Sequence, residues 1–180
     1  MPNLLKLPPR LDEKSRALCT IIETPKGSRN KYNYDDNSGL FQLAMVLPQG
    51  MVFPCDFGFI PGTLGEDGDP LDVLLFLDAP AHVGCVIEAR LIGVIEVEQK
   101  EGKDAFRNDR LLAVSLHSHS HVAVKNIKEL DRRLVKEIEK FFLSYNEQHG
   151  KGLKILAKRG PSEAVKIVKA GIKTYKKKFK

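Results

Sequence analysis

Asp67-Gly68-Asp69-Pro70-Leu71-Asp72-Val73 places three carboxylates within six positions and passes straight into the apolar run Val73-Leu74-Leu75-Phe76, with Glu66 just ahead. Like charges this close repel one another unless a cation lies among them. Asp67 and Asp69 are two apart, so an extended backbone would point both to one face. Pro70 fixes its own φ and removes a donor, which bends the approach to Asp72. A ligand set made of oxygens alone suits Mg²⁺ or Mn²⁺ rather than zinc. Asp, Gly and Pro are also turn residues, and spacing alone leaves an acidic surface turn as an equal reading.

The flanks decide between the two. Upstream lies Val52-Phe53-Pro54-Cys55-Asp56-Phe57-Gly58-Phe59-Ile60-Pro61-Gly62-Thr63, an aromatic–Pro–aromatic–Gly segment. Glu23 and Asn30-Lys31-Tyr32 precede it, and Phe141-Phe142-Leu143-Ser144-Tyr145 follows much later. Together these stretches resemble the family I soluble inorganic pyrophosphatases, whose signature is Asp-x-Asp-Pro-x-Asp followed by an apolar residue. The likeness runs over residues 15–160. It implies an α+β chain, a small closed, OB-like β-barrel flanked by two C-terminal helices. It also implies an Mg²⁺-dependent (Mn²⁺ as an alternative) inorganic diphosphatase, a hydrolase that releases two phosphates from pyrophosphate.

The same resemblance assigns roles by position. Asp67 and Asp72 match metal ligands, and Asp69 matches the base that takes a proton from the attacking water. Glu23 matches an acidic residue that reaches the metals through water. Lys31, Arg110 and Tyr145 match phosphate-contacting positions; Arg110 stands where Lys is usual and adds a bidentate fork. Tyr145 alone would read as a core aromatic at a helix end. Asp104 is taken as a further metal ligand, with Asn108 and Asp109 as alternatives depending on the gap in the loop Glu96–Arg110. Such a set suits a compact polyanion, which needs cations around its oxygens and a base for water.

Departures from the family pattern are numerous. Asn33 stands for Glu, Met45 for a substrate-binding Arg, Phe57 for Tyr, Asn146 for Lys, and Gln99-Lys100 for an acidic pair. Neutral amide oxygens bind Mg²⁺ more weakly than carboxylates. Each lost charged hydrogen bond removes ~1.5–3 kcal/mol. Lys100, Lys103, Arg107 and Arg29 are candidates for compensation. The hydrolytic core is therefore expected to be retained and the substrate clamp altered.

Composition bounds the rest. A chain of 180 residues, 42% hydrophobic and 29% charged, is read as a single domain over 1–180. No apolar run is long enough to span a membrane, and the Pro-broken N-terminus is not a secretory signal. Three cysteines (Cys19, Cys55, Cys85) without a C-x-x-C spacing read as free thiols, which points to the cytoplasm. The net charge of +6 is concentrated near the end, in Lys176-Lys177-Lys178-Phe179-Lys180. Cations complement a helix C-terminus, so a solvated helix end is favoured over nucleic-acid or membrane contact.

Strand-like runs are expected at Cys19–Glu23, Leu40–Leu43, Leu71–Leu77 and Leu111–Leu116, with a strand pair over Val86–Gln99. Asp35-Asp36-Asn37-Ser38-Gly39 reads as a turn. A helix from near Lys128 carries Leu130, Leu134, Ile138, Phe141 or Phe142, and Tyr145 and stops at Gly150. Leu153–Ala157 is a last strand, and Ser162 caps a second helix. His117, His119 and His121 alternate as they would on one face of a strand, a zinc or nickel face, but a polar connector is the stronger reading.

The family also implies a homo-oligomer, dimer or hexamer. Two other classes stay open from the departures: hydrolysis of a phosphoanhydride bearing an organic group, and a non-catalytic phosphate-binding or interaction module.

Overall fold

Apolar residues alternate along β5 (Asp72–Phe76) and β8 (Arg110–Ser115) so regularly that each strand feeds two cores. Val73, Leu75, Leu111 and Ala113 pack to one side; Leu74, Phe76, Leu112 and Val114 pack to the other. The computed structural model describes residues 3–179. Met1 and Pro2, at the start of the Pro-broken N-terminal stretch, and Lys180, the last residue of the basic run, lie outside the described residues.

The other strands are β1 (Ala17–Thr24), β2 (Asn30–Asp35), β3 (Leu40–Val46), β4 (Asp56–Phe59), β6 (Val86–Glu101), β7 (Asp104–Arg107) and β9 (Gly152–Arg159). β1 pairs with β4, β4 with β5, β8 with β6, and β6 again with β1, all antiparallel; β5 and β8 run parallel. Those five strands close on themselves, matching the expected ring. β7 and β9 extend the sheet from β6, while β2 and β3 form a separate hairpin around the Asp35–Gly39 turn.

The strand pair expected over Val86–Gln99 is one strand, β6, bent by register shifts at Leu91/Gly93 and Glu96/Val97. Gly93 serves close approach rather than a turn. A Cβ there would lie 2.6 Å from the Arg159 carbonyl oxygen and 2.8 Å from Ile127 Cβ.

A 3₁₀ turn, Ile127–Glu129, occupies the expected start of the first helix; α1 (Arg132–Glu147) begins later, where the Asp131 carboxylate accepts the Arg133 N–H. Its inward stripe is Val135, Ile138 and Phe142. α2 (Pro161–Lys178) starts on Pro161 with Gly160 as its N-cap, so Ser162 is not the cap. Pro at the first helical position needs no N–H there and is preset in φ. Ala164 and Val168 bury one face against the β1–β6 side of the core, each large buried aliphatic in that core contributing ~1.5–3 kcal/mol.

α2 also grips the segment ahead of β5. Leu64 N–H donates to the Gly171 carbonyl at 3.1 Å, and a Cβ on Gly171 would come within 2.7 Å of Leu71 Cδ1. The three histidines fall in the turns after β8, where Asp78 accepts the N–H groups of His119 (2.6 Å) and Ser120 (3.0 Å) and the Ser118 hydroxyl (2.9 Å). Among the described residues no helix is long and apolar enough to cross a membrane.

Candidate active site

Thr63 organises the loop that carries the signature. Its buried hydroxyl donates to the Ile60 carbonyl (2.6 Å) and accepts the Leu71 N–H (3.0 Å), pinning both ends. Between them Gly68 takes φ +90°, and Asp69 N–H donates to the Asp67 carboxylate at 3.1 Å. The segment is therefore a turn, not the extended backbone expected for Asp67 and Asp69, because a positive φ at Gly68 breaks the alternation.

Asp72 and Arg110 are the first residues of β5 and β8. Because those strands run in parallel with Val73 beside Leu111, their starting ends lie side by side. Arg110, 6% exposed, places Nη1 between the Asp72 carboxylate and the Asn108 side-chain oxygen. Its guanidinium lies over the Phe142 ring, 5.5 Å from the centroid. The chain of bonds continues outward: Asn108 Nδ2 donates to Gln99 Oε1 (3.1 Å), and Gln99 Nε2 to Glu101 Oε1 (2.6 Å). Lys151 Nζ then meets the same Glu101 oxygen at 2.5 Å.

Glu23, near the end of β1, receives the Tyr34 N–H at 2.9 Å. Burial pushes its carboxyl up to about 7, with the charges of Asp72 and Asp69 adding to the rise, and the Tyr34 N–H and the Lys31 ammonium opposing it. Burial likewise pushes Asp67 up to about 6, assisted by Asp72 and Asp69. Asp69 is raised by burial first and Asp72 second, while Lys31, Lys151 and Lys178 draw it down. Lys31, from β2, holds its ammonium 5.8 Å from the Phe57 ring and 5.9 Å from the Tyr145 ring. Tyr145 stacks on Phe141 and lies 4.9 Å from the His149 ring.

One cleft of about 820 Å³ takes in Glu23, Lys31, Asp67, Asp69, Asp72, Arg110 and Tyr145. Asp104 is not among its lining residues. It opens β7 at the exposed hairpin tip, paired in register with Glu101. Asp109 is also occupied elsewhere, accepting three bonds from the Arg107 guanidinium and one from Val97 N–H. Of the three alternatives in that loop, Asn108 alone reaches the cleft. Lys6, Lys151, Tyr175, Lys178 and Phe179 also line it, and nothing in their local sequence signals that position.

Among the described residues no three His, Cys, Asp or Glu side chains are already gathered as a metal site; Asp72 is paired with Arg110 instead. The donor chemistry nevertheless fits a hard cation. The cluster is all oxygen, and its carboxyls are raised partly by one another's charge, a cost that a divalent ion would remove.

The family described as inorganic pyrophosphatase matches residues 20–176. The chain belongs to the inorganic pyrophosphatase family. It is 40% identical to the inorganic pyrophosphatase of Leifsonia xyli over 86% of this chain and 93% of that one. It is 37% identical to that of Synechocystis over 91% and 94%. The crystal structure of the Thermus thermophilus inorganic pyrophosphatase superposes with a TM-score of 0.87 at 34% identity, covering 97% of this chain and 99% of the other.

Within the family frame, the departures have definite places. Met45 lies opposite Lys31 in the β2–β3 register and lines the cleft with an apolar side chain. Asn146, 2% exposed, donates back to the Phe142 carbonyl at 2.8 Å, one helical turn earlier. Phe57 is packed against Phe53 and Phe142. Of the compensating cations expected, Arg107 is paired with Asp109 and Glu96, and Arg29 bonds the Leu47 carbonyl.

Proposed function

We propose that this chain is an inorganic diphosphatase that hydrolyses pyrophosphate to two phosphates with Mg²⁺, Asp69 acting as the base. The observation that carries the reading is the convergence of Asp67, Asp69, Asp72 and Glu23 with Lys31, Arg110 and Tyr145 on a single cleft. Asp67 and Asp72 would hold the metal, with Glu23 reaching it through water; bound Mg²⁺ supplies charge neutralisation and a more acidic water. Asp69 is the most solvent-exposed of the three signature carboxylates and is free to accept the water's proton. Lys31 and Arg110 hold phosphate oxygens, and the Tyr145 hydroxyl orients them. Gln99 and Asn108 offer only neutral oxygens, so any second cation is held more loosely.

A homo-oligomer, dimer or hexamer, fits the exposed Leu40, Leu43 and Val46 on β3. Three free thiols, two of them buried, fit a cytoplasmic setting. One sheet shared by both cores supports a single domain over 1–180. The aromatic lining and the size of the cleft favour one second reading, a phosphoanhydride bearing an organic group, which a panel of nucleotides beside pyrophosphate separates from the first.

The test is phosphate release from pyrophosphate in excess Mg²⁺, with Asp69→Asn alongside. Loss of a general base should lower the rate by about 10²–10⁴-fold; equal rates would overturn the assignment of Asp69.

A further inference from the structure

We propose that the last turn of α2 is a substrate-binding arm, in which Lys178 supplies the cleft with a further uncommitted ammonium for the phosphate oxygens. The inference rests on the pyrophosphate reading above.

Charge bookkeeping within the cleft motivates it. Six acidic side chains line the cleft against five Lys and Arg. Of those five, Arg110 is paired with Asp72 and Lys151 with Glu101. Among the described residues Lys6, Lys31 and Lys178 have no carboxylate partner, and of these Lys31 and Lys178 lie against aromatic rings, the Lys178 ammonium 5.4 Å from the Phe179 centroid. A polyanion entering an acidic cleft gains most from cations that are not already neutralised. Lys31, Lys151 and Lys178 are the cations that chiefly draw the Asp69 carboxyl down.

The arm is built rather than incidental. The Tyr175 and Phe179 rings, four residues apart, meet at a tilt with centroids 4.8 Å apart, and both line the cleft with Lys178. One turn before Tyr175, the Gly171 carbonyl accepts the Leu64 N–H, so the helix that carries Lys178 is bonded to the loop that carries Asp67 and Asp69. Lys176 and Lys177, by contrast, do not line the cleft. With Met45 and Asn146 in place of cations, Lys178 restores a positive charge from a different element of the fold.

The experiment is calorimetric binding of imidodiphosphate, the non-hydrolysable analogue, with Mg²⁺ present, to the unaltered chain and to Lys178→Gln, Lys176→Gln and Lys177→Gln. Lys178→Gln should weaken binding about tenfold, the lower end for a hydrogen bond to a charged group, and raise KM for pyrophosphate without changing kcat. The two neighbouring variants should stay within about twofold, as solvated surface charges do. Binding that Lys178→Gln weakens no more than Lys177→Gln overturns the arm alone. No binding by the unaltered chain overturns the pyrophosphate reading and the arm with it.

Discussion

Stripping the chain of metal and raising the pH should weaken the fold, and Glu23 should be the main cause. Its carboxyl is held at about 7 instead of the ordinary 4.5, chiefly by burial. That difference corresponds to about 3 kcal/mol favouring the neutral acid. Below pH 4.5 folded and unfolded states both hold the proton and nothing is lost. Between 4.5 and about 7 the unfolded chain releases it while the folded chain keeps it, so stability falls as pH rises. Above that window the cost is fully present. Glu23→Gln keeps the shape and can still accept the Tyr34 N–H, but has nothing to ionise. In thermal melts of metal-free protein, the variant and the unaltered chain should coincide near pH 4.5 and separate by pH 8. About 3 kcal/mol corresponds to a gap of ~6–12 °C for a domain of this size. Saturating Mg²⁺ should narrow the gap at pH 8, because a cation stabilises the ionised form. Parallel melting curves across the whole range would refute the reasoning.

Two further outcomes follow from packing and ligand charge. Gly171→Ala drives a methyl group against Leu71 and should cost ~1–3 kcal/mol in a denaturant titration, with pyrophosphate hydrolysis falling as well because the same contact floors the signature loop. Asn108→Asp adds a carboxylate beside Asp72 and Arg110 and should tighten Mg²⁺ binding by about tenfold in calorimetry, since affinity follows the number of charged ligands; unchanged affinity would remove Asn108 from the metal's surroundings.

The signature carboxylates, Glu23, Lys31 and Tyr145 were legible because each sits in a short stretch whose residue types match a family pattern; Arg110, standing where Lys is usual, was legible by its charge and place, and all of these line the cleft. Asp104 was not placeable by counting. The hairpin between β6 and β7 turns at Glu101–Asp104, which sends Asp104 to the tip and leaves Asn108 to enter the cleft. A carboxylate's identity drew the eye where register decided the position. β6 is one strand where a pair was expected, because alternation of apolar and polar residues does not tell one long strand from two, and Gly93, having no side chain, admits Arg159 and Ile127 without ending it. The basic tail read as a solvated helix end, which describes Lys176 and Lys177. Lys178 differs through contacts made far away in sequence, and no local pattern encodes those.

The bond between the Leu64 amide and the Gly171 carbonyl also imposes an order on biosynthesis. The acidic loop leaves the ribosome well before α2 is made, and until α2 docks that amide and the Leu71 side chain have no partner there. A nascent chain therefore displays its carboxylates on an unsupported loop. Hydrolytic competence arrives as one late event, when the helix seats, rather than growing with chain length. Translation stalled within α2 should yield a chain that folds much of its sheet and turns over nothing.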